Sequence, residues 1–365
     1  MFELGGICII DGIMKGKAIV VAVLLGVVTL LIAGFAYFVW PGPVACVDLY
    51  WTALIESRLV EPGKDSYPWT VAVDWSPDGR TIVSSGYHND VFLWDATTGK
   101  LRHRLQGHRA WVQEAIFSPD GKLVASADWD GTVIVWDAMT GERRRVLKSK
   151  GDLFTVSFHP QKALLAAGSY EGSISVFDLA TGEKVWELTG NEGGTLFIAY
   201  SPDGLLLAAG GEDALIHLIQ TQTYRRVGTL TGHTDGVTSL SFSKDGAQLL
   251  SCGDDGAIRL WSVKTLTCEK VWRASRDWIN FVEFLPDSRR FVTAAANRLI
   301  QLWDVDRDEV SASFKLHRDW AQCVRVRDDG GAFVSCGKDG LINIWNLKTN
   351  RLERTIDVGL TLNGP

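Results

Sequence analysis

A tryptophan or a substitute closes an apolar run seven times along this chain, at Trp94, Trp136, Phe177, Ile219, Trp261, Trp303 and Trp345, forty-two residues apart except for one interval of forty-one. A period of that length marks one supersecondary unit that cannot bury its own hydrophobic face and is copied until neighbours cover one another. It restricts the chain to a ring or a stack. The chain has 365 residues, 46% hydrophobic and 22% charged, and a repeat region of about 300 residues leaves no room for a second globular domain.

A second signal runs in phase with the first. SPDG begins at Ser76, Ser118 and Ser201 and decays to HPQK at His159, SKDG at Ser243, LPDS at Leu285 and RDDG at Arg327. Pro and Gly set tight-turn backbone angles, and Asp bonds its own main chain. Short β-branched runs lie on both sides, such as VAVDW before and TIVSSG after the first turn. Each unit therefore reads as four short strands.

The second copy, GHRAWVQEAIFSPDGKLVASADWDGTVIVWD from Gly107 to Asp137, resembles a complete unit of the WD-repeat family. The resemblance covers roughly 66–358 and implies an all-β, seven-bladed β-propeller of four-stranded antiparallel blades. It also implies a buried His, Ser, Asp and Trp tetrad in each complete copy. Three copies carry one: His108, Ser126, Asp130 and Trp136; His233, Ser251, Asp255 and Trp261; His317, Ser335, Asp339 and Trp345. A hydrolase triad is the rejected alternative, since it would have to recur three times without a strained nucleophile elbow. The first copy has His88 where the family has Asp. The third has Glu171 and Ala167, and the fourth Ala209 with Ile219-Gln220. Copies three and four are thus expected to lean on apolar packing and to be the softest. Arg351–Val358 is expected to complete blade seven, with the segment from Ala53 as linker or edge cover.

Upstream, Ala18 to Trp40 carries no charge and would extend about 35 Å as a helix, enough for a hydrocarbon core of about 30 Å. Lys15 and Lys17 precede it, and Tyr37, Phe38, Trp40 and Pro41-Gly42 end it, which suits an N-terminus inside and the ring outside. The expected organisation is a cytoplasmic segment 1–17, a transmembrane helix 18–40, a linker 41–65, a propeller 66–359 and a tail 360–365. A cleaved signal peptide and a lipid anchor at Cys46 are the alternatives, and Met14 competes with Met1 as the start. Six scattered cysteines, Cys8, Cys46, Cys252, Cys268, Cys323 and Cys336, show no metal spacing; for Cys323 and Cys336, burial as small hydrophobes is preferred to a disulfide.

The formal charge of −6 disfavours nucleic acid as a partner. Lys100, Arg102, Arg104, Arg143, Arg144 and Arg145 form a basic stretch on two outer strands, read as a solvated rim, with an acidic partner or anionic lipid headgroups near the anchor as the alternatives. There is no HExxH, Walker or GxSxG motif, and no calcium-loop spacing, so neither metal nor cofactor is expected. DLATGEKVW, from Asp178 to Trp186, resembles the docking motif of quinone-dependent dehydrogenase propellers, a remote alternative because the Trp does not recur.

The functional signal is aromatic. In the WD-repeat family, partners dock at the narrow end of the ring, around the residues that open the innermost strands and those just before the buried Asp. The opening positions here hold Trp69, Trp111, Trp278 and Trp320, and the second positions add Tyr87, Trp129 and Tyr170. Arg109, Arg276 and Arg318 flank them. Aromatics and Arg dominate interface energy. The expected function is a non-enzymatic, membrane-tethered protein-interaction scaffold; the alternative is a sensor or carrier of a glycan or peptide that uses the same crescent.

Overall fold

The computed structural model describes residues 69–189 and 193–362. The anticipated 18–40 span, the 1–17 and 41–65 segments and the Ala53 segment lie outside these residues. Among the described residues, no helix is long and apolar enough to cross a membrane. They contain 28 strands in seven four-stranded antiparallel sheets, over 70–106, 112–148, 153–188, 195–231, 237–273, 279–314 and 321–357. Each sheet is a simple meander, its first strand innermost and its fourth outermost. The innermost strands contact one another in sequence, and the first, β1 (Thr70–Trp75), packs on that of the seventh blade, β25 (Ala321–Val326), closing the ring.

The repeated turn explains why strands one and two fold back at a fixed place. In blade one, Ser76 Oγ donates to Asp78 Oδ1 at 2.6 Å and accepts the Thr81 N–H at 2.9 Å. Asp78 Oδ1 also accepts the Arg80 N–H at 3.0 Å, and Gly79 takes φ of 67°, where a side chain would be strained. Blade three reaches the same end differently: His159 Nδ1 accepts the N–H groups of Gln161 and Lys162, both at 3.1 Å.

The seams between blades use hydrogen bonds as well as apolar layers. Side chains of the innermost strands accept backbone N–H groups of the next blade: Asp74 from Phe117 at 2.8 Å, Glu114 from Val156 at 2.8 Å, Ser241 from Phe284 at 3.0 Å and Glu283 from Val326 at 2.6 Å. At the closing seam, Trp75 Nε1 donates to the Arg325 carbonyl at 3.1 Å. Arg325 then reaches Glu114 at 3.2 Å and Glu283 at 3.6 Å, with its guanidinium 4.7 Å from the Phe281 ring centre. One arginine of blade seven thus braces blades two and six. Burial, only partly offset by Arg325, pushes Glu283 up to about 7.

Blade seven ends in β28 (Arg351–Asp357), paired with β27 (Leu341–Asn346), so all four of its strands come from one stretch of chain. A helical turn, Val358–Leu362, follows; Val358 is buried and donates its N–H to the Gly340 carbonyl at 3.0 Å. The boundary anticipated between 359 and 360 therefore falls inside that turn. Cys323 lies directly opposite Cys336, and both are buried free thiols.

Blades three and four lack the buried indole-to-hydroxyl bond of the other five. Trp94, Trp136, Trp261, Trp303 and Trp345 each donate an indole N–H to a Ser or Thr hydroxyl on the neighbouring strand, at 2.8–3.2 Å. In blade three Phe177 and Ala167, and in blade four Ile219 and Ala209, stand at the positions that hold the indole and the hydroxyl elsewhere, so donor and acceptor are lost together, which is close to neutral for stability. Blade four also has a polar pair of its own, His217 Nε2 with Asp213 at 3.0 Å, so it does not rely on apolar packing alone. Trp186 of blade three stacks on Tyr224 of blade four, with ring centres 4.7 Å apart. That indole is an inter-blade contact, which is a sufficient structural role for the one Trp of the DLATGEKVW segment.

Candidate interaction face

In a four-stranded meander, the turn between strands two and three lies at the same end as the start of strand one. In every blade the two are joined by one backbone bond, from the N–H of the second position to the carbonyl of the strand-opening residue, as in Tyr87 to Trp69, Trp129 to Trp111 and Lys338 to Trp320. This end is called the upper face below.

The tetrads hold those turns from beneath. In blade five, His233 Nδ1 lies 3.0 Å from Asp255 and Nε2 2.7 Å from Ser251 Oγ, which accepts the Trp261 N–H. Blade seven repeats this with His317, Asp339, Ser335 and Trp345. Blade two differs from the sequence reading: the carboxylate on His108 Nδ1, at 2.7 Å, belongs to Asp128. His108 Nε2 lies 2.6 Å from Ser126 Oγ, which accepts the Trp136 N–H at 2.8 Å. Asp130 is exposed, its nearest ionic neighbour being Lys148 at 3.7 Å. The physical reason is local: blades five and seven have Gly253 and Gly337 where blade two has Asp128. A carboxylate already on the strand reaches the imidazole and also accepts the N–H groups of Asp130 and Thr132. Burial acts to raise the Asp128 pKa, but the His108 contact and these two N–H groups outweigh it and hold it below the ordinary range.

In blade one, His88 is buried with Nδ1 2.8 Å from the Asp90 carbonyl, and burial pushes it down to about 4. In blade three, Glu171 turns outward and accepts the Asp152 N–H at 3.0 Å.

Above the tetrads, the predicted aromatics do meet. Trp278 lies edge-on to Trp320 at 5.3 Å; Lys338 Nζ sits 3.7 Å from the Trp320 ring centre and 5.0 Å from that of Trp69. Trp69 contacts Tyr87 at 5.3 Å, and Tyr87 stacks on Trp111 at 4.6 Å. Trp111 contacts Trp129 at 5.1 Å; Trp129 stacks on Phe154 at 5.9 Å, and Phe154 on Tyr170 at 5.5 Å. The result is an unbroken arc over blades six, seven, one, two and three. Lys338 and Phe154 were not singled out from sequence, because neither is a Trp at a strand opening. The signal available was positional: Phe154 is the second residue of its innermost strand, and Lys338 stands one blade before Tyr87's place.

Exposure grades the arc. Trp111 is 7% exposed and Tyr170 44%, whereas Trp69, Tyr87, Trp129, Trp278 and Trp320 are half-buried. Trp111 is thus mainly a support for its neighbours. Arg109, Arg276 and Arg318 are exposed. Of the basic outer-strand residues, Arg102, Arg104 and Arg144 pair with Asp95, Asp90 and Asp137. Arg145 is spent on the Leu179, Ala180 and Thr181 carbonyls of blade three. The stretch is therefore largely a set of intramolecular ties.

Seven four-stranded blades in a closed ring, three of them with an indole, hydroxyl, imidazole and carboxylate chain beneath their turns, define a WD-type β-propeller. The family model described as "WD domain, G-beta repeat" matches residues 62–95, 99–137, 141–178, 182–220, 224–262, 266–304 and 309–346. The chain belongs to the WD-repeat family.

Proposed function

We propose that this propeller is a non-enzymatic protein-interaction scaffold that receives its partner on the upper face, over the aromatic arc. The continuous contact series from Trp278 to Tyr170 carries this reading. Half-buried rings fixed by one another lose little side-chain entropy when a partner covers them, which is why rigid aromatics dominate interface energies. The uncharged 18–40 stretch supports a membrane tether, and Lys15 and Lys17 before it support a ring on the outer side.

The test is affinity purification of the full-length chain beside a Trp69→Ala/Trp320→Ala variant. Its bound partner should fall by about tenfold or more, as expected for loss of central aromatic anchors. Full retention of the partner by a variant with an unchanged unfolding midpoint would sink the proposal. Protease accessibility of the ring in intact cells tests its side of the membrane.

A further inference from the structure

The two halves of the upper face differ in charge. On the arc side, exposed Arg109, Arg276 and Arg318 are interleaved with exposed Asp130, Asp277 and Asp319. On blades three to five the opening and second positions instead hold Asp152, Glu212 and Asp254, with Glu171 and Asp235 beside them. Asp152, Glu171, Glu212 and Asp235 make no ion pair among the described residues. Burial, then Glu171, Asp130 and Asp128, push Asp152 above the usual carboxylate range, so Asp152 feels the negative charge of Glu171 beside it. The strand openings of blades four and five are Gly194 and Gly236, which leaves the acidic side chains as the relief there.

A separate observation concerns hydrogen bonding. Of the seven buried side-chain polar atoms without a partner among the described residues, five lie in blades one and two: Ser85 Oγ, His88 Nε2, Asn89 Oδ1, Gln113 Nε2 and Trp129 Nε1. They belong to the turns and strand starts that carry Tyr87, Trp111 and Trp129. Gln113 and Trp129 offer donors; Asn89 offers an acceptor, as does His88, whose neutral ring already donates from Nδ1 to the Asp90 carbonyl; and Ser85 offers either. These atoms lie beneath the face, out of a docked partner's reach, so the occupant is chosen by charge: a basic polypeptide complements the acidic sector, whereas an anionic lipid or nucleic acid would be repelled by it.

We propose that the partner presents an extended, basic segment, its apolar side chains on the aromatic arc and its Lys or Arg residues over Asp152, Glu171, Glu212 and Asp235. This rests on the interaction-scaffold reading above and specifies its partner's chemistry. A segment of about twelve residues spans about 40 Å, enough to cross from the arc to the acidic sector.

The experiment pans a random twelve-residue peptide library against the immobilised full-length chain and sequences the retained pool. Retained peptides should be net positive and enriched in aromatic and aliphatic residues, and individual binders should weaken steeply as salt is raised, since exposed charges are screened. In a Glu171→Gln/Glu212→Gln/Asp235→Asn variant, which keeps the acceptors of Glu171 and Asp235, the charge bias should vanish and the same binders should weaken by about tenfold. A pool that is neutral or acidic, or a charge bias that survives the triple variant, overturns the proposal. If the pool depends on Trp129 and Trp320 yet carries no charge bias, the arc stands and the basic segment does not. If nothing is retained, or retention ignores both tryptophans, the arc itself is refuted.

Discussion

Replacing Arg325 by Met tests how the ring is closed. The arginine is the only cation contacting Glu114 and Glu283 among the described ion pairs, and it acts on Asp74 through space. Each contact, at 3.2 and 3.6 Å, corresponds to about 5 kcal/mol of gross attraction at an effective dielectric near 20. Much of that is spent on desolvating the partners. Removing one partner of a buried pair typically costs about 3–5 kcal/mol, because the remaining charge is stranded. Here the stranded groups have an escape, which is to bind protons. Burial, offset in part by Arg325, already raises Asp74, Glu114 and Glu283, the last to about 7. A carboxyl whose folded pKa is raised contributes stability that is fully present below its unfolded value near 4.5 and is lost as pH rises through the folded value. Without the guanidinium all three should rise further, so the folded state would hold more protons than the unfolded one across that window. The variant should therefore lose about 3–5 kcal/mol at pH 8 and markedly less at pH 5. Urea unfolding of the full-length chain at both pH values, followed by tryptophan fluorescence, measures this. An equal loss at pH 5 and pH 8, or less than about 1 kcal/mol at both, would refute the reasoning.

Two further substitutions separate structural from idle carboxylates. Asp128→Ala removes three acceptor contacts and strands the His108 N–H, so it should lower stability by about 1–3 kcal/mol, while Asp130→Ala should stay within about 0.5 kcal/mol; thermal unfolding of the two variants decides. In blade four, His217→Ala leaves Asp213 without the imidazole and should destabilise by about 1–3 kcal/mol; a neutral result would mean that this blade does rest on apolar packing alone.

Blade number and strand content were legible because both depend on local patterns repeated in phase. The spacing from Ser251 to Asp255 and from Ser335 to Asp339 marks a tetrad in blades five and seven. In blade two the same ruler lands on Asp130, but geometry favours Asp128, since a carboxylate on the strand itself needs no turn to carry it to the imidazole. Arg325 and Glu114 are 211 residues apart, and only ring closure brings them together. The outer arginines looked like a free patch because their carboxylate partners lie on the adjacent strand, and Arg145's carbonyl partners on the next blade. Phe154 and Lys338 joined the arc through positions that no Trp marks.

The same physics explains why recognition can vary round a ring whose scaffold repeats. A buried indole N–H and its hydroxyl acceptor are energetically coupled: either alone is costly, so blades keep both, as Trp303 and Thr293 do, or lose both, as Ile219 and Ala209 do. The strand openings bear no such coupling, because their backbone bond to the second position is made whatever the side chain. Trp, Trp, Asp, Gly, Gly, Trp and Trp therefore occupy those openings from blade one to blade seven without disturbing a blade. The asymmetry this permits is directional: an aromatic sector centred near blade one and an acidic sector near blade four lie on opposite sides of the ring. The two sectors adjoin on blade three, where Tyr170 ends the arc and Asp152 and Glu171 begin the acidic side, so a partner running from blade one to blade four meets rings first and carboxylates last, and specificity resides in the order of the blades.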